Sequence, residues 1–414
     1  MTAPYRAGKR LDPKTFAAVR RETIFECCKW DPQFEDIAVL SDFPIVLARR
    51  EWQRLAQTAE RLDAETRAAE EELCQRPDLQ RLLGLPWRIR RALQRAASPP
   101  PGPRVMRFDF HFTSDGWRIS EVNSDVPGGF IEASGFTCRM ARRFPGLRMA
   151  GDPAAAYGDA LARRLAAGDS VAMIHATAYT DDRQVMIYLA RHFEAFDLRP
   201  VLASPADLAW KDGLARLRCN PLIEIRAIVR FFPAEWLPNL PRGSGWQAFL
   251  QGARVLLSNP ATALLTQSKR FPLTWTGLRT SLDAWQSLLP ETRDPRDAGG
   301  SIDDWVLKPA LGRVGEDIGM AGVTETKPWR QIRRAARWQA SSWVAQRRFE
   351  AVALETPRGR VYPQFGVYTI DGRAEGIYGR LASRPLIDCR SQDVAVLVAD
   401  ELKPSLSSAV GASL

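Results

Sequence analysis

From about residue 45 to 97 the apolar positions Leu47, Trp52, Leu55 and Leu62 recur near helical spacing, with Arg and Glu between them. That spacing predicts a helical region with one apolar stripe. The run from Ala97 to Pro103 then reads as a stiff linker, because proline removes the amide donor a helix needs. Polar and apolar residues alternate from Val105 to Phe112 and again from Trp117 to Asn123, which predicts two strands. Further on, Val171–Ile174 reads as a short apolar strand, Asp181–Phe196 as a helix, and Arg199–Leu202 and Ile225–Phe231 as strands. Strands alternating with a helix predict a small α/β module with parallel pairing. A helical stretch is expected to about residue 290, then a mobile loop from Arg293 to Gly300. A strand at Trp305–Lys308, a Gly-rich loop, a helix over Pro328–Gln339 and hairpin strands from Trp343 to about Ile387 complete the pattern. It contains no internal repeat.

The 414 residues are 45% hydrophobic and 26% charged, which excludes wholesale disorder and fibrous repeats. No run of about 18 apolar residues occurs, so no transmembrane helix is expected. Met1 to Arg21 lacks an apolar core of the signal-peptide kind. The six cysteines form no CxxC pair, so reduced thiols in a cytoplasm are the expectation. His111, His175 and His192 are scattered, which argues against a His-based metal site or triad. The net charge of +10 favours anionic partners such as nucleotides or carboxylates. A nucleic-acid groove is the weaker reading, since no run of five basic residues occurs. Only eight of the 58 basic residues are Lys.

On the first predicted strand Phe108, Phe110 and Phe112 would face a core, and Arg107, Asp109 and His111 the opposite side. Ser114-Asp115-Gly116 joins it to the next strand. A three-residue loop with Gly last would set Asp109 opposite Glu121 and Arg107 opposite Asn123, gathering four polar groups in one patch. A two-residue Asp115-Gly116 loop would instead turn Glu121 and Asn123 away. Three oxygen donors on a rigid sheet suit Mg²⁺, and an adjacent Arg suits phosphate. The alternative is a surface charge network in which Arg107 neutralises the two acids.

The run Trp305-Val306-Leu307-Lys308-Pro309-Ala310-Leu311-Gly312-Arg313-Val314-Gly315 leads a strand into a glycine loop. Because Lys308 precedes the glycines, this is not a Walker loop. Its backbone could close over phosphates, with Lys308 as a point charge, or it could be a plain surface turn. Lys269 is either a solvated helix residue or a second phosphate ligand.

Arg107-Phe108-Asp109-Phe110, Ser120-Glu121-Val122-Asn123-Ser124-Asp125-Val126-Pro127 and Glu132-Ala133 resemble the signature of the glutathionylspermidine synthase family of ATP-grasp ligases. Lys308-Pro309 with Gly312-Arg313 and Gly315 resembles that family's phosphate-covering loop. Trp343-Val344-Ala345-Gln346 resembles its nucleotide-base segment, and Gly376-Ile377-Tyr378-Gly379-Arg380 the late strand that carries an active-site Arg. The resemblance covers about residues 100–390.

It implies an α+β ATP-grasp fold with an inserted small α/β domain and a helical N-terminal region. The boundaries expected are 1–100 for the helical region and 101–168 for the first ATP-grasp part. Residues 169–260 would form the α/β substrate domain, 261–400 the nucleotide-binding part with its lid, and 401–414 a tail. The resemblance also implies amide-bond formation through an acyl phosphate, with ATP and Mg²⁺ as cofactors. Asp109, Glu121 and Asn123 would hold metal, and Arg107 and Arg380 would steady the transferring phosphoryl group. Lys269, Lys308, Gly312, Arg313 and Gly315 would bind phosphates, with Gln346 beside the adenine.

The sequence also departs from the family pattern. Val126-Pro127-Gly128-Gly129 stands where small hydroxyl residues are common, Val314 where an acid is common, and Glu316-Asp317 where neutral residues are usual. The expected substrates are therefore an amino-acid-like or peptide carboxylate other than glutathione, and an amine other than spermidine. The competing expectations are a nucleotide-binding scaffold without turnover and a basic nucleic-acid-binding protein. Oligomeric state is left open.

Overall fold

The computed structural model describes residues 3–35, 37–95, 102–251, 253–312 and 317–402. Most of the expected 97–103 linker, the loop residues Arg313, Val314, Gly315 and Glu316, and most of the 401–414 tail lie outside the described residues.

The architecture is α+β, and its organising element is an antiparallel sheet. Its strands run in the order Gln392–Val394, Arg373–Ala382, Gly359–Ile370, Val105–Thr113 and Gly116–Asn123, with Leu354–Thr356 added along Gly359–Ile370. The alternation predicted for the first hairpin strand holds: Phe108, Phe110 and Phe112 are buried in the main core. Phe365, Val367, Ile377, Leu381 and Val394 join them from neighbouring strands, so one face of the sheet is mainly apolar, with Thr369 donating there to the buried Asp63 carboxylate. The long helix Arg49–Cys74 buries Leu55, Ala59, Leu62, Ala69 and Leu73 in the same core, at the expected helical spacing.

A second antiparallel sheet has the order Thr292–Arg293, Trp343–Arg347, Trp305–Pro309 and Gly319–Met320. The Thr326–Trp338 helix covers one face of it through Ile332 and Ala336, which pack with Trp305, Leu307, Trp343 and Ala345. The expected α/β module is present as well. Ser170–Ile174 pairs in parallel with both Arg199–Ala203 and Glu224–Arg230, and the Thr180–Glu194 helix makes the crossover. An antiparallel hairpin, Leu208–Lys211 and Leu214–Leu217, extends the sheet at one edge.

Three stretches depart from expectation. The N-terminal region carries strands besides its helices. Ile45–Ala48 pairs with Tyr5–Ala7 and, in parallel, with Val396–Ala399. Its run Ile45-Val46-Leu47 is fully buried, which suits a central strand better than an amphipathic helix. The stretch before residue 290 forms only short helical pieces, because Pro233, Pro238, Pro241, Pro260 and Pro272 interrupt it. The Arg293–Gly300 segment is anchored rather than a free loop. Its Asp294 is buried and accepts from Arg270 Nη2 at 2.9 Å and Arg296 Nε at 2.8 Å. Among the described residues no helix is long and apolar enough to cross a membrane.

Candidate active site

The polar face of the main sheet carries the candidate chemistry. Arg107 pairs with Asn123 and Asp109 with Glu121, so the four groups share one patch. The route to that register differs from both expected turns. Thr113 pairs with Gly116 across a two-residue Ser114–Asp115 turn. That register would misplace the acids, but Ser120 bulges out between the Asp109 and Phe110 pairings and shifts the strand by one residue.

The same face continues over the later strands. Asp109 pairs with Gly366, which pairs with Tyr378; Gln364 pairs with Arg380, which pairs with Asp393. Because residues two apart on a strand share a face, Arg380 stands on the same side of the sheet as Arg107. Its Nη2 donates to the Asp388 carbonyl at 2.7 Å, while its buried Nε has no partner.

Arg107 is held from several sides. Its Nε and Nη2 donate to the two oxygens of Asp109 at 2.8 and 3.0 Å, a bidentate pair. Its Nη1 donates to the Gly128 carbonyl at 2.5 Å, and its guanidinium lies 5.0 Å from the Tyr378 ring centre. A Cβ on Gly366 would stand 2.6 Å from Arg107 Cδ and 2.8 Å from Nε, so this glycine leaves room for the side chain to cross the sheet. Asn123 Nδ2 adds a third donor to Asp109, at 3.0 Å. The Arg107 and Asp109 side chains are 11% and 2% exposed, so this is a buried constellation and not a solvated surface network.

Two cations meet this patch, Lys308 from the second sheet and Lys269 from the segment after the short Leu264–Gln267 helix. Lys308 Nζ reaches the Ser120 carbonyl at 3.2 Å and Gln346 Oε1 at 2.6 Å. Lys269 Nζ lies 3.0 Å from Glu121 Oε2 and donates to the Gly312 carbonyl at 2.7 Å. It thereby ties the root of the glycine loop to the hairpin, and its side chain is 8% exposed, far from the solvated residue that was the alternative. Gln346 spans Lys308 and Thr292, to whose Oγ1 its Nε2 donates at 3.3 Å.

The charges are strongly perturbed. Burial acts to raise the Glu121 carboxyl, but Lys269 and then Lys308 overcome it and hold the group at about 2. Desolvation brings the Lys308 ammonium down to about 8, against the pull of Glu121. Desolvation, helped by Lys308, takes His111 down to about 3, so that imidazole is neutral at physiological pH. His111 Nε2 sits 3.1 Å from Ser120 Oγ.

Several contributors escaped the sequence reading. Gln267 Oε1 accepts from the amides of Ser124 and Asp125 at 2.9 and 3.0 Å, fixing the backbone just after Asn123. The Gly128-Gly129 pair, read from sequence only as a loss of hydroxyls, has a positive role. The Gly128 carbonyl accepts from Arg107 and from Tyr368, and a Cβ on Gly129 would press 2.9 Å from the Tyr378 ring. Each of these depends on residues far apart in the chain, and only the double glycine left a mark in the sequence.

The family model described as glutathionylspermidine synthase preATP-grasp matches residues 34–399, and the chain belongs to that family. Among solved structures it resembles a glutathione synthetase-like effector from Globodera pallida, solved in the apo form. The identity is 11%, over 94% of this chain and 98% of that one, with a TM-score of 0.64. It also matches a protein described as a gamma-glutamylcysteine synthetase from Methylobacillus flagellatus KT. Here the identity is 14%, over 82% of this chain and 88% of that one, and the TM-score of 0.42 is too low to bear on the fold. No curated protein sequence matches.

Proposed function

We propose that the protein is an ATP- and Mg²⁺-dependent carboxylate–amine ligase that forms an amide through an acyl phosphate. The carboxylate would be amino-acid-like or peptidic and distinct from glutathione. One observation carries this reading. An arginine and three oxygen-bearing side chains on one sheet face two lysines delivered by the glycine-loop side, and Lys269 and Lys308 bridge the gap within hydrogen-bond reach.

The donor set fits Mg²⁺. Glu121 is held ionised, and Asn123 uses its amide nitrogen on Asp109, which leaves its carbonyl oxygen available. Asp109 accepts three hydrogen bonds, and a carboxylate has about four lone-pair positions, so one remains. Asp109, Glu121 and Asn123 would hold the ion, whose chemistry is to neutralise phosphate charge and polarise the bond to the transferring group.

The chain's own groups supply the rest. Lys269 and Lys308 bind phosphate oxygens, exchanging Glu121 and the Ser120 carbonyl for a more highly charged partner. Arg107, clamped by Asp109 and Tyr378, presents a fixed planar donor array to the transferring group. Arg380, on the same face with a spare donor, faces the acyl side. The Gly312 loop root, tethered through Lys269, closes over the cleft and excludes water that would hydrolyse the activated carboxyl.

A second reading is a nucleotide-binding member without turnover. It is favoured by the fact that each acid already has a cationic partner, as in a static ion-pair network. An ADP-release assay over a broad panel of carboxylates and amines, paired with calorimetric titration of ATP, separates the two. Binding with substrate-dependent ADP release supports the ligase; binding without release across the panel supports the scaffold. Absence of ATP binding ends both.

A further inference from the structure

Lys29 lies outside everything assigned above. It follows the Pro13–Glu26 helix in the N-terminal region and is only 4% exposed. Three carboxylates converge on its ammonium: Glu132 Oε1 at 2.5 Å, Asp31 Oδ1 at 3.2 Å and Asp393 Oδ2 at 3.5 Å. Burial acts to strip its proton, but the acids, Glu132 foremost, keep it charged. One cation therefore balances a cluster that would otherwise repel itself.

Asp393, which pairs with Arg380 in the sheet, joins the cluster to the active face. Asp393 Oδ1 accepts from the Tyr378 hydroxyl at 2.7 Å. The Tyr378 ring is the surface on which the Arg107 guanidinium rests, and Gly129 backs that ring without a side chain. A continuous line of contacts thus runs from Lys29 through Asp393 and Tyr378 to Arg107. Tyr378 has two terminal constraints, its hydroxyl on Asp393 and its face on Arg107. Losing the first removes the ring's polar anchor and leaves its tilt to packing over Gly129 and beside the neighbouring core residues.

We propose that Lys29 is a positioning residue: by fixing Asp393 it locks the Tyr378 ring, and through that ring it sets the pose of the Arg107 guanidinium. The N-terminal region then shapes the active face instead of only bracing it. The proposal rests on the ligase reading for its functional consequence, since Arg107 is there the group that meets the terminal phosphate.

Two readouts on the full-length protein test it. The first is independent of nucleotide. The Arg107 Nε–Hε resonance, assigned by its loss in Arg107→Ala, reports the ring and the Asp109 contact. It should shift or broaden in both Lys29→Met and Tyr378→Phe, with the melting temperature of Tyr378→Phe close to wild type. The second is the ratio of ATP to ADP affinity. Each of the two variants should lower it roughly fivefold, as expected when a cation–π contact is weakened and not removed. In an Arg107→Ala background the further change should be under about twofold, because the shared endpoint is gone. Lys29→Met leaves buried acids uncompensated and can fail to fold; Tyr378→Phe alone then decides. An unmoved Arg107 resonance in folded Tyr378→Phe overturns the proposal, as does full additivity with Arg107→Ala. A resonance that moves in the variants, when the wild-type protein does not bind ATP, supports the positioning role and rejects the ligase reading.

Discussion

Lys308 Nζ donates to the carbonyl of Ser120, the residue that bulges from the hairpin, and so links the two sheets at the point where the strand register changes. A bulge leaves its own backbone groups unpaired in the ladder, and here the orphaned carbonyl meets a cation. The lysine is charged but poorly solvated, and its ammonium is easily lost.

That condition gives opposite pH trends for binding and stability. The Lys308 pKa is depressed to about 8 from 10.5, mainly by desolvation. Between those values the unfolded chain binds more protons than the folded one, so this group's contribution to stability rises with pH across the window. Phosphate binding needs the ammonium, so ATP affinity should fall as pH rises through about 8. Calorimetry between about pH 7 and 9.5 should show that fall, with proton uptake on binding. Lys308→Gln should flatten the profile at a lower affinity.

Gly366→Ala tests the clamp on Arg107. The new Cβ would meet Arg107 Cδ at 2.6 Å and force the side chain off Asp109. ATP affinity or turnover should drop by on the order of tenfold or more, since a displaced donor array loses most of its value. The melting temperature should fall too, because the displaced guanidinium loses its buried partner even though the flanking Phe365 and Val367 still fill the core. A variant with wild-type activity would mean that Arg107 does not need this pose.

The two acids should respond differently to neutralisation. Glu121→Gln removes a metal donor and the carboxylate partner of Lys269, so it should abolish Mg²⁺-dependent nucleotide binding and lower the melting temperature, by less than the change at the more deeply buried Asp109. Asp109→Asn should remove the same binding, and it also leaves Arg107 buried without its bidentate partner. A stability loss of about 3 kcal/mol should accompany it. Denaturant melts alongside Mg²⁺-ATP titrations check both halves of this contrast.

Lys269→Ala should weaken nucleotide binding about tenfold or more, because a phosphate point charge is lost together with the tether to the Gly312 carbonyl. The Glu121 carboxyl, held at about 2 mainly by Lys269 against burial, should titrate at higher pH in the variant. Carboxyl carbon chemical shifts followed through an acid titration measure that rise directly.

Much of the active face was legible in the sequence because it lies on one hairpin. Alternation of Arg107, Asp109 and His111 with three phenylalanines settles which way each side chain points. The pairing of Asp109 with Glu121 was reached by a different path from any turn weighed. A short turn and a bulge together restore the register that a longer loop would have set, and local propensity does not reveal such a compensation. Gly366, Tyr378, Gln267 and Lys29 were invisible for another reason. Each acts through a partner at least 100 residues away, and no period or motif encodes that distance. The helical reading before residue 290 failed where prolines outvoted apolar content.

The parallel pairing of Ile45–Ala48 with Val396–Ala399 has a consequence for biosynthesis. Ile45–Ala48 is made well before Val396–Ala399 and must wait for that later strand before this buried edge is satisfied. Until then the Ile45-Val46-Leu47 ribbon, paired with Tyr5–Ala7 on one side, is open and sticky on the other, and Asp393, which leads into the late strand, is not yet in place at the Tyr378 hydroxyl. Assembly of the polar face therefore waits for the strand that carries Asp393, and a chain made only as far as the first hairpin has no finished cleft.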